Sequence, residues 1–381
     1  MNLLRQKIEQ EIHARGPIPF SRYMELCLYD PELGYYSRNA EQFGKAGDFY
    51  TSSDVHAVFG RLLARQFDEM WHVLGSPERV ELVELGPGRG LFAQDVLGWS
   101  EKQFPDFFRA LRYVLVESST ALRERIKETL KCQVDSGKAE LSAVYPLKRE
   151  SSRDAPTIVF ANEFFDALPV EILSAAGSMR IDAIDKRFVE TWVAPSPEEL
   201  EFLDFLSVHP EPGERIEASL ITQQFMERVA HSIQRGFVIA IDYGHTRDEQ
   251  LAGRHRGTMK AIRQHSVSGN PYEVPGGQDI TADVNFTALA AAAEKHGVHT
   301  HKLVSQSQFL MGIGEGNQFA DAFEECRLPQ ERAKVALQLK HLVTPAGMGE
   351  SFHVLVGSKG VEQERLESLS GLNFGRKAIL R

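Results

Sequence analysis

Cysteine is scarce in this sequence, with only Cys27, Cys132 and Cys326 among 381 residues. The three are separated by roughly a hundred residues or more, so the spacing indicates neither a C-x-x-C metal-ligand pair nor a disulfide framework. We expect them to be buried thiols. Histidine is more common, with thirteen residues, but no H-E-x-x-H pair occurs and we expect no metal site.

Long apolar runs and an excess of positive charge are also absent. No stretch approaches the roughly 18 uncharged residues that a membrane-spanning helix requires. Residues 1–20 are amphipathic but include Glu9 and Glu11 and lack the apolar core of a signal peptide, so we expect a cytoplasmic protein. The net charge of -10 argues against nucleic acid and favours a small molecule or a basic protein as partner.

What the sequence does contain is an alternation of short β-branched runs with helical patterns. Apolar runs at 79–85, 111–117, 157–162, 236–244 and 351–360 predict strands. Helices are expected at 120–131 and 215–235, the latter with Ile216, Leu220, Phe225, Val229 and Ile233 at helical spacing. This pattern is typical of an α/β fold with a largely parallel sheet covered on both faces.

We expect the chain to divide into an N-terminal helical extension at 1–75 and an α/β domain at 76–381. In the extension, Ser53 or Asp54 is suited to cap a helix whose apolar face includes Val58, Leu62, Phe67 and Trp71. Two intervals interrupt the alternation. Residues 176–212 predict a β-hairpin and a Pro-rich loop, whereas 245–282 are polar and Gly-rich. For this second interval a role in substrate binding or as a lid is as plausible as disorder.

A glycine motif, ELGPGRG at 84–90, follows the first predicted strand. A dinucleotide site needs a third glycine where Leu91 stands, and no G-K-[ST] follows as in a phosphate loop. What remains is Glu84 with Gly86, Gly88 and Gly90, which suits a cofactor lying over the backbone and carrying a positive group, such as S-adenosylmethionine. The alternative is a glycine-rich turn that binds nothing.

Polar side chains follow two further strands. Glu117 ends the second strand, where a carboxylate can accept both ribose hydroxyls of an adenosine cofactor, although a solvated Glu is the alternative. TIVFANEFFDALPVEIL at 157–173 brings Asn162 and Glu163 to a strand end, with Phe164, Phe165 and Leu168 as possible pocket walls. Asp166 follows closely; it and Asn162 would be simple helix caps in the alternative interpretation.

These motifs resemble, in this order, those of the MidA-like family of S-adenosylmethionine-dependent methyltransferases, which includes a mitochondrial arginine methyltransferase for respiratory complex I assembly. The matches extend along nearly the whole chain: GDFYTS (47–52), FGRLLA (59–64), ELGPGRG (84–90), ANEFFDALPV (161–170), DYG (242–244), PGGQDITADVNF (275–286) and MGESFHVLVGSKG (348–360). Two departures concern the substrate side: Ser53-Asp54 replaces Pro-Glu, and Asp283-Val284-Asn285 replaces His-Val-Asp.

The resemblance implies a Rossmann-like, seven-stranded methyltransferase sheet with its last strand antiparallel, an N-terminal helical extension over the cofactor, and substrate-side insertions. By the same resemblance, Glu84, Gly86, Gly88, Gly90 and Glu117 would hold S-adenosyl-L-methionine. It further implies that Gly47, Asp48, Asn162, Glu163 and Asp166 line the site.

The function expected from the sequence is methyl transfer to an arginine guanidinium of a protein, with Asn162, Glu163 and Asp166 as the catalytic group. A respiratory-complex subunit is a possible substrate, and eukaryotic relatives would act in the mitochondrial matrix. One alternative is a methyltransferase acting on RNA or a small molecule. Another is an assembly factor that binds the cofactor without catalysis; an oxidoreductase is disfavoured by the glycine spacing.

Overall fold

The computed structural model describes residues 2–37, 57–145, 155–185, 187–253, 257–263 and 266–374. Its helices are α1 (Leu3–Arg15), α2 (Phe20–Tyr29), α3 (Ala57–Val73), α4 (Leu91–Gln103), α5 (Pro105–Ala110), α6 (Thr120–Thr129), α7 (Lys131–Asp135), α8 (Pro197–Leu206), α9 (Leu220–Ser232), α10 (Arg247–Leu251), α11 (Phe286–Glu294), α12 (Gln306–Glu315), α13 (Ala320–Phe323), α14 (Pro329–Val343) and α15 (Gln363–Leu366). Short 3₁₀ turns lie at Tyr35–Ser37 and Ser370–Leu372. Every helix in this described part of the chain is too short or too polar to cross a lipid bilayer.

The strands are β1 (Ile18–Pro19), β2 (Val80–Leu85), β3 (Leu111–Val116), β4 (Ala139–Ser142), β5 (Thr157–Asn162), β6 (Glu171–Ser174), β7 (Gly177–Ile184), β8 (Arg187–Val193), β9 (Ile216–Ala218), β10 (Gly236–His245), β11 (Lys260–Arg263), β12 (Ser266–Ser268), β13 (Asp279–Thr281), β14 (Val284–Asn285), β15 (His299–Thr300), β16 (Val304–Ser305) and β17 (Phe352–Lys359). The five strands expected from sequence correspond to β2, β3, β5, β10 and β17.

The chain folds into two compact units. The first comprises Met1–Tyr50, Phe164–Glu227 and Gly244–Ala292, and the second comprises Thr51–Glu163, Arg228–Tyr243 and Ala293–Arg381.

A mixed sheet forms the centre of the second unit, in the order β15-β17-β10-β5-β2-β3-β4. Strands β4, β3, β2, β5 and β10 are parallel, whereas β17 runs antiparallel to β10. The α/β class is therefore confirmed. The count of seven strands is not confirmed, because short β14 and β16 also pair with β10 and β17 and bring the sheet to nine strands.

Helices α3 and α4 cover this sheet through aromatic side chains. Phe92 of α4 stacks on Phe160 of β5 with ring centroids 4.6 Å apart, and Phe67 of α3 meets the same ring edge-on at 5.6 Å. The apolar face predicted for α3 is buried at Val58, Leu62, Phe67 and Trp71. This packing fixes α4, and with it the glycine turn that precedes the helix.

The first unit contains two smaller antiparallel sheets. One joins β1, β7, β6 and β9 with β8 at its edge, and the other joins β12, β11 and β13. The hairpin predicted within 176–212 is the β7–β8 pair. Helix α1 buries Leu4, Ile8 and Ile12 at one-turn spacing in the core of this unit.

Three expectations need correction. Ile216 was predicted in a helix but lies in β9, opposite Leu173 of β6. The prediction was wrong because an apolar residue just before a helix fits the helical pattern and the strand pattern equally well. The interval 245–282, expected to be a loop, contains α10 and the β12-β11-β13 sheet, whose strands of three or four residues are too short to show a period. Of the cysteines, only Cys27 is buried, and Cys132 is exposed.

Candidate active site

Three parallel strands of the second unit end at the same level. Leu85, near the end of β2, lies opposite Val116 of β3 on one side and Ala161 of β5 on the other. The residues that follow, Gly86, Glu117 and Asn162, therefore share the carboxyl edge of the sheet. Ligands of open α/β sheets bind at this edge.

The glycine turn connects β2 to α4. Gly86, Gly88 and Gly90 adopt φ angles of 65°, 54° and 77°, in the left-handed region that favours glycine. Gly86 donates its N–H to the Val116 carbonyl at 3.1 Å, and Gly90 caps α4 without a side chain. At these three positions the turn exposes backbone without a side chain, next to a helix N-terminus.

Glu84 is a buried carboxyl in β2, only 5% exposed. Tyr113 of β3 donates its hydroxyl to Glu84 Oε2 at 2.8 Å. Burial raises the pKa of Glu84 to about 8, against the opposing effect of the Tyr113 hydrogen bond. A group of this kind keeps its proton near neutral pH until a cation arrives to stabilise the carboxylate.

Glu117 immediately follows β3 and is 8% exposed. Its Oε1 accepts the Ser119 N–H at 2.7 Å, and Ser119 also caps α6. Burial raises the pKa of Glu117 to about 7, although the Ser119 hydrogen bond acts in the other direction. The carboxyl is thereby held in one orientation beside the glycine turn.

Asn162 and Glu163 close β5 in a constrained conformation. Glu163 has a φ of 51°, which costs a non-glycine residue on the order of 1 kcal/mol and is often found at functional sites. Its N–H bonds to the Ile241 carbonyl at 2.9 Å, and Asn162 Nδ2 donates to Glu163 Oε1 at 3.1 Å. The Asn162 Oδ1 atom is buried and accepts no hydrogen bond from the described residues.

Asp166 belongs to the first unit and is 6% exposed. Its carbonyl accepts the Ala282 N–H at 3.0 Å, and the neighbouring Ala167 carbonyl accepts the Tyr29 hydroxyl at 2.8 Å. Gly47 and Asp48 lie outside the described residues. The structure thus brings Glu84, the three glycines, Glu117, Asn162 and Glu163 to one edge of the sheet within the second unit.

Sequence reasoning missed Tyr113 and Ser119, which hold the two buried carboxyls. Tyr113 was detectable in principle, since a phenol within the apolar run LRYVLV must find a hydrogen-bond partner when buried. Ser119 was visible as an N-cap before Thr120. Neither pattern specifies which carboxyl the residue contacts.

The polar groups at this edge of the sheet suit a ligand that carries positive charge and no phosphate. Glu84 is a desolvated carboxyl that a cation would ionise, Glu117 offers oxygen acceptors suited to hydroxyl groups, and Asn162 has a buried acceptor atom. The glycine turn permits close approach of a flat ligand to the backbone. Among the described residues no group of His, Cys, Asp and Glu has the arrangement of a metal site.

Comparison with known proteins agrees with this chemistry. Residues 62–304 match the family described as "Putative S-adenosyl-L-methionine-dependent methyltransferase". The mitochondrial protein arginine methyltransferase NDUFAF7 homolog of Drosophila melanogaster is 30% identical, over 97% of this chain and 88% of the relative. Human mitochondrial protein arginine methyltransferase NDUFAF7 is 27% identical, over 90% of this chain and 80% of the relative.

A solved structure shares the fold. A protein from Burkholderia thailandensis, whose crystal structure contains S-adenosyl-homocysteine, superposes on this chain with a TM-score of 0.81 and is 28% identical in sequence. The match covers 95% of this chain and 94% of the Burkholderia chain. Since the family match spans more than half of the sequence and the Drosophila relative aligns with nearly all of it, the chain belongs to this family of S-adenosyl-L-methionine-dependent methyltransferases.

Proposed function

We propose that this methyltransferase modifies a guanidinium nitrogen of arginine in a protein substrate. The names of the Drosophila and human relatives support a protein arginine acceptor. The observation that carries the proposal is the buried Oδ1 atom of Asn162, which accepts no hydrogen bond from the described residues and lies next to the carboxylate of Glu163. An acceptor atom beside a carboxylate suits a cation rich in N–H donors.

On the cofactor side, we assign Glu84 to the ammonium group and Glu117 to the ribose hydroxyls. Gly86, Gly88 and Gly90 allow close contact with the backbone, and Gly47 and Asp48 remain predicted cofactor residues. When bound, S-adenosyl-L-methionine supplies a methyl group on positively charged sulfur. Glu84 then loses its proton, because a nearby cation stabilises the carboxylate that burial disfavours.

On the acceptor side, Glu163 attracts and orients the guanidinium, and Asn162 Oδ1 accepts a hydrogen bond from the nitrogen that reacts, while Asp166 remains a predicted catalytic residue. Methyl transfer is a displacement that depends mainly on alignment, so the three residues act through position and charge. Because the pKa of arginine is above about 12, its proton leaves during or after transfer rather than before. Of the two carboxylates, Glu163 is the closer along the chain to the end of β5 and is our first choice for this role.

The cellular setting is also a proposal. The relatives are mitochondrial by name, and for this chain we propose a cytoplasmic location. A respiratory-complex subunit is the substrate that we would examine first.

The acceptor can be identified with S-adenosyl-L-methionine carrying a radiolabelled methyl group. The enzyme is incubated with an extract of cells that lack it, and label is measured in protein, RNA and small-molecule fractions. We expect label in protein, recovered as methylated arginine after hydrolysis. Label confined to RNA or to a small molecule would refute the proposal.

The role of Glu163 is tested by Glu163→Gln. We expect unchanged S-adenosyl-homocysteine affinity and transfer slowed about a hundredfold or more, as when a group that stabilises developing charge is removed. Asp185→Asn is the matched control, since Asp185 is another acidic residue with a positive φ, 49°, in the turn between β7 and β8. Full-rate transfer by Glu163→Gln would contradict the assignment.

A further inference from the structure

The first unit contains a group of buried polar side chains that the proposed mechanism uses only at Asp166. The Tyr36 hydroxyl donates to Asp279 Oδ1 at 2.9 Å, and the rings of Tyr36 and Tyr29 lie 5.6 Å apart. Asp279 is 2% exposed, whereas both tyrosines keep part of their surface accessible. We call Tyr29, Tyr36, Asp166, Asp279 and Thr281 the Asp279 cluster.

Both carboxylates of the cluster act on the same phenol. The pKa of Tyr36 is raised well above its usual value, first by burial and then by the negative charges of Asp279, Tyr29 and Asp166. A charge that perturbs a buried phenol lies close to it. Asp279 and Asp166 therefore both act on Tyr36 through their charge, although 113 residues separate them in the sequence.

Thr281 supplies an independent sign of a ligand. Side chains alternate along β13, so Asp279 and Thr281 share one face, while Ile280 packs in the apolar core on the other. Thr281 is 3% exposed, and its buried Oγ1 has no hydrogen-bond partner among the described residues. A buried hydroxyl without a partner costs about 1–3 kcal/mol, which a ligand with N–H donors would recover.

The chemistry of the cluster distinguishes between cations. Two carboxylates and a hydroxyl acceptor suit a group that donates several hydrogen bonds in one plane, and the tyrosine rings offer flat surfaces for stacking. A guanidinium meets both requirements, whereas an ammonium is a compact point charge. We propose that Asp279, Thr281 and Tyr36 bind a guanidinium of the protein substrate, an inference that rests on the proposed function.

This inference is tested through the apparent KM for acceptor protein, again with the extract as substrate and labelled S-adenosyl-L-methionine. Asp279→Asn should raise this KM about tenfold or more, as expected when a hydrogen bond to a charged group is lost. Thr281→Val should raise it about threefold or more without lowering the midpoint of thermal unfolding, since the variant also removes an unsatisfied hydroxyl. Affinity for S-adenosyl-homocysteine, measured by calorimetry, should stay within about twofold in both variants, because neither change removes a residue assigned to the cofactor.

Asp185→Asn is again the control, because Asp185 is an exposed aspartate of the same unit; its KM should not change. If Asp279→Asn does not fold, the KM values of Thr281→Val and Tyr36→Phe test the inference instead. If the folded variants have an unchanged KM while the wild-type enzyme methylates arginine, this inference is overturned and the proposed function is not. Absence of arginine methylation by wild type overturns it together with the proposed function.

Discussion

Replacement of Glu84 by Gln should make the cofactor-free protein more stable while weakening cofactor binding. Glu84 is buried, and its pKa is about 8 in the folded protein against an ordinary value of 4.5. At a pH between these two pKa values, Glu84 is protonated in the folded state and ionised in the unfolded state. The free energy of unfolding therefore falls as pH rises, by about 1.4 kcal/mol for each pH step of one.

The expected magnitude follows from that slope. From about pH 5 to about pH 7, ionisation of Glu84 in the unfolded chain should lower the free energy of unfolding by roughly 3 kcal/mol. The amide of Glu84→Gln does not titrate, and its oxygen still accepts the Tyr113 hydroxyl bond. The stability of Glu84→Gln relative to wild type should consequently increase by about that amount across this range.

Urea unfolding of both cofactor-free proteins across this range measures the difference. Other groups that titrate there, such as Glu117, are present in both proteins and cancel. If the free energies of unfolding of Glu84→Gln and wild type differ by a constant amount from about pH 5 to about pH 8, burial does not raise the pKa of Glu84.

The same carboxyl should make cofactor binding depend on pH. Wild type should bind S-adenosyl-homocysteine more tightly as pH rises towards about 8, because Glu84 must ionise to pair with the ammonium group. Tyr113→Phe removes the hydrogen bond that lowers the pKa of Glu84, and should shift this profile to higher pH. A profile unchanged in Tyr113→Phe and in Glu84→Gln would assign the pH dependence to another group.

Two further predictions concern the cofactor edge of the second unit. Glu117→Gln should weaken S-adenosyl-homocysteine binding about tenfold in calorimetry, because hydrogen bonds to an ionised carboxylate are stronger than those to an amide; equal affinity would remove Glu117 from the site. Gly90→Ala should lower the free energy of unfolding by about 1 kcal/mol or more, since Gly90 has a φ of 77° and a Cβ there would lie 3.3 Å from Ile126. Gly98→Ala, in the interior of α4 with open space around it, should instead raise stability by up to about 1 kcal/mol in the same urea experiment.

The sequence predicted best those features that depend on neighbouring residues. The strands ending at Leu85, Val116 and Asn162 were recognisable as apolar runs, and parallel pairing then brings their carboxyl ends to one edge. Placement of Glu84, Glu117, Asn162 and Glu163 at this edge followed directly. Their roles towards cofactor and acceptor remain predictions.

Features that depend on distant residues were not predictable. Tyr36 and Asp279 are 243 residues apart, yet they share a hydrogen bond. Ile216 fitted a helical pattern, but pairing with β6 made it a strand residue. In each case long-range contacts in the folded chain decided between local alternatives.

The central claim, that arginine in a protein receives the methyl group, is tested most directly by mass spectrometry of cells that lack the enzyme. Such cells are supplied with either wild type or Glu163→Gln, and methylated arginines are compared across the proteome. We expect one or more arginine sites that are methylated with wild type and unmethylated with Glu163→Gln. Identical arginine methylation with both proteins, or restoration of all cellular functions by Glu163→Gln, would contradict it.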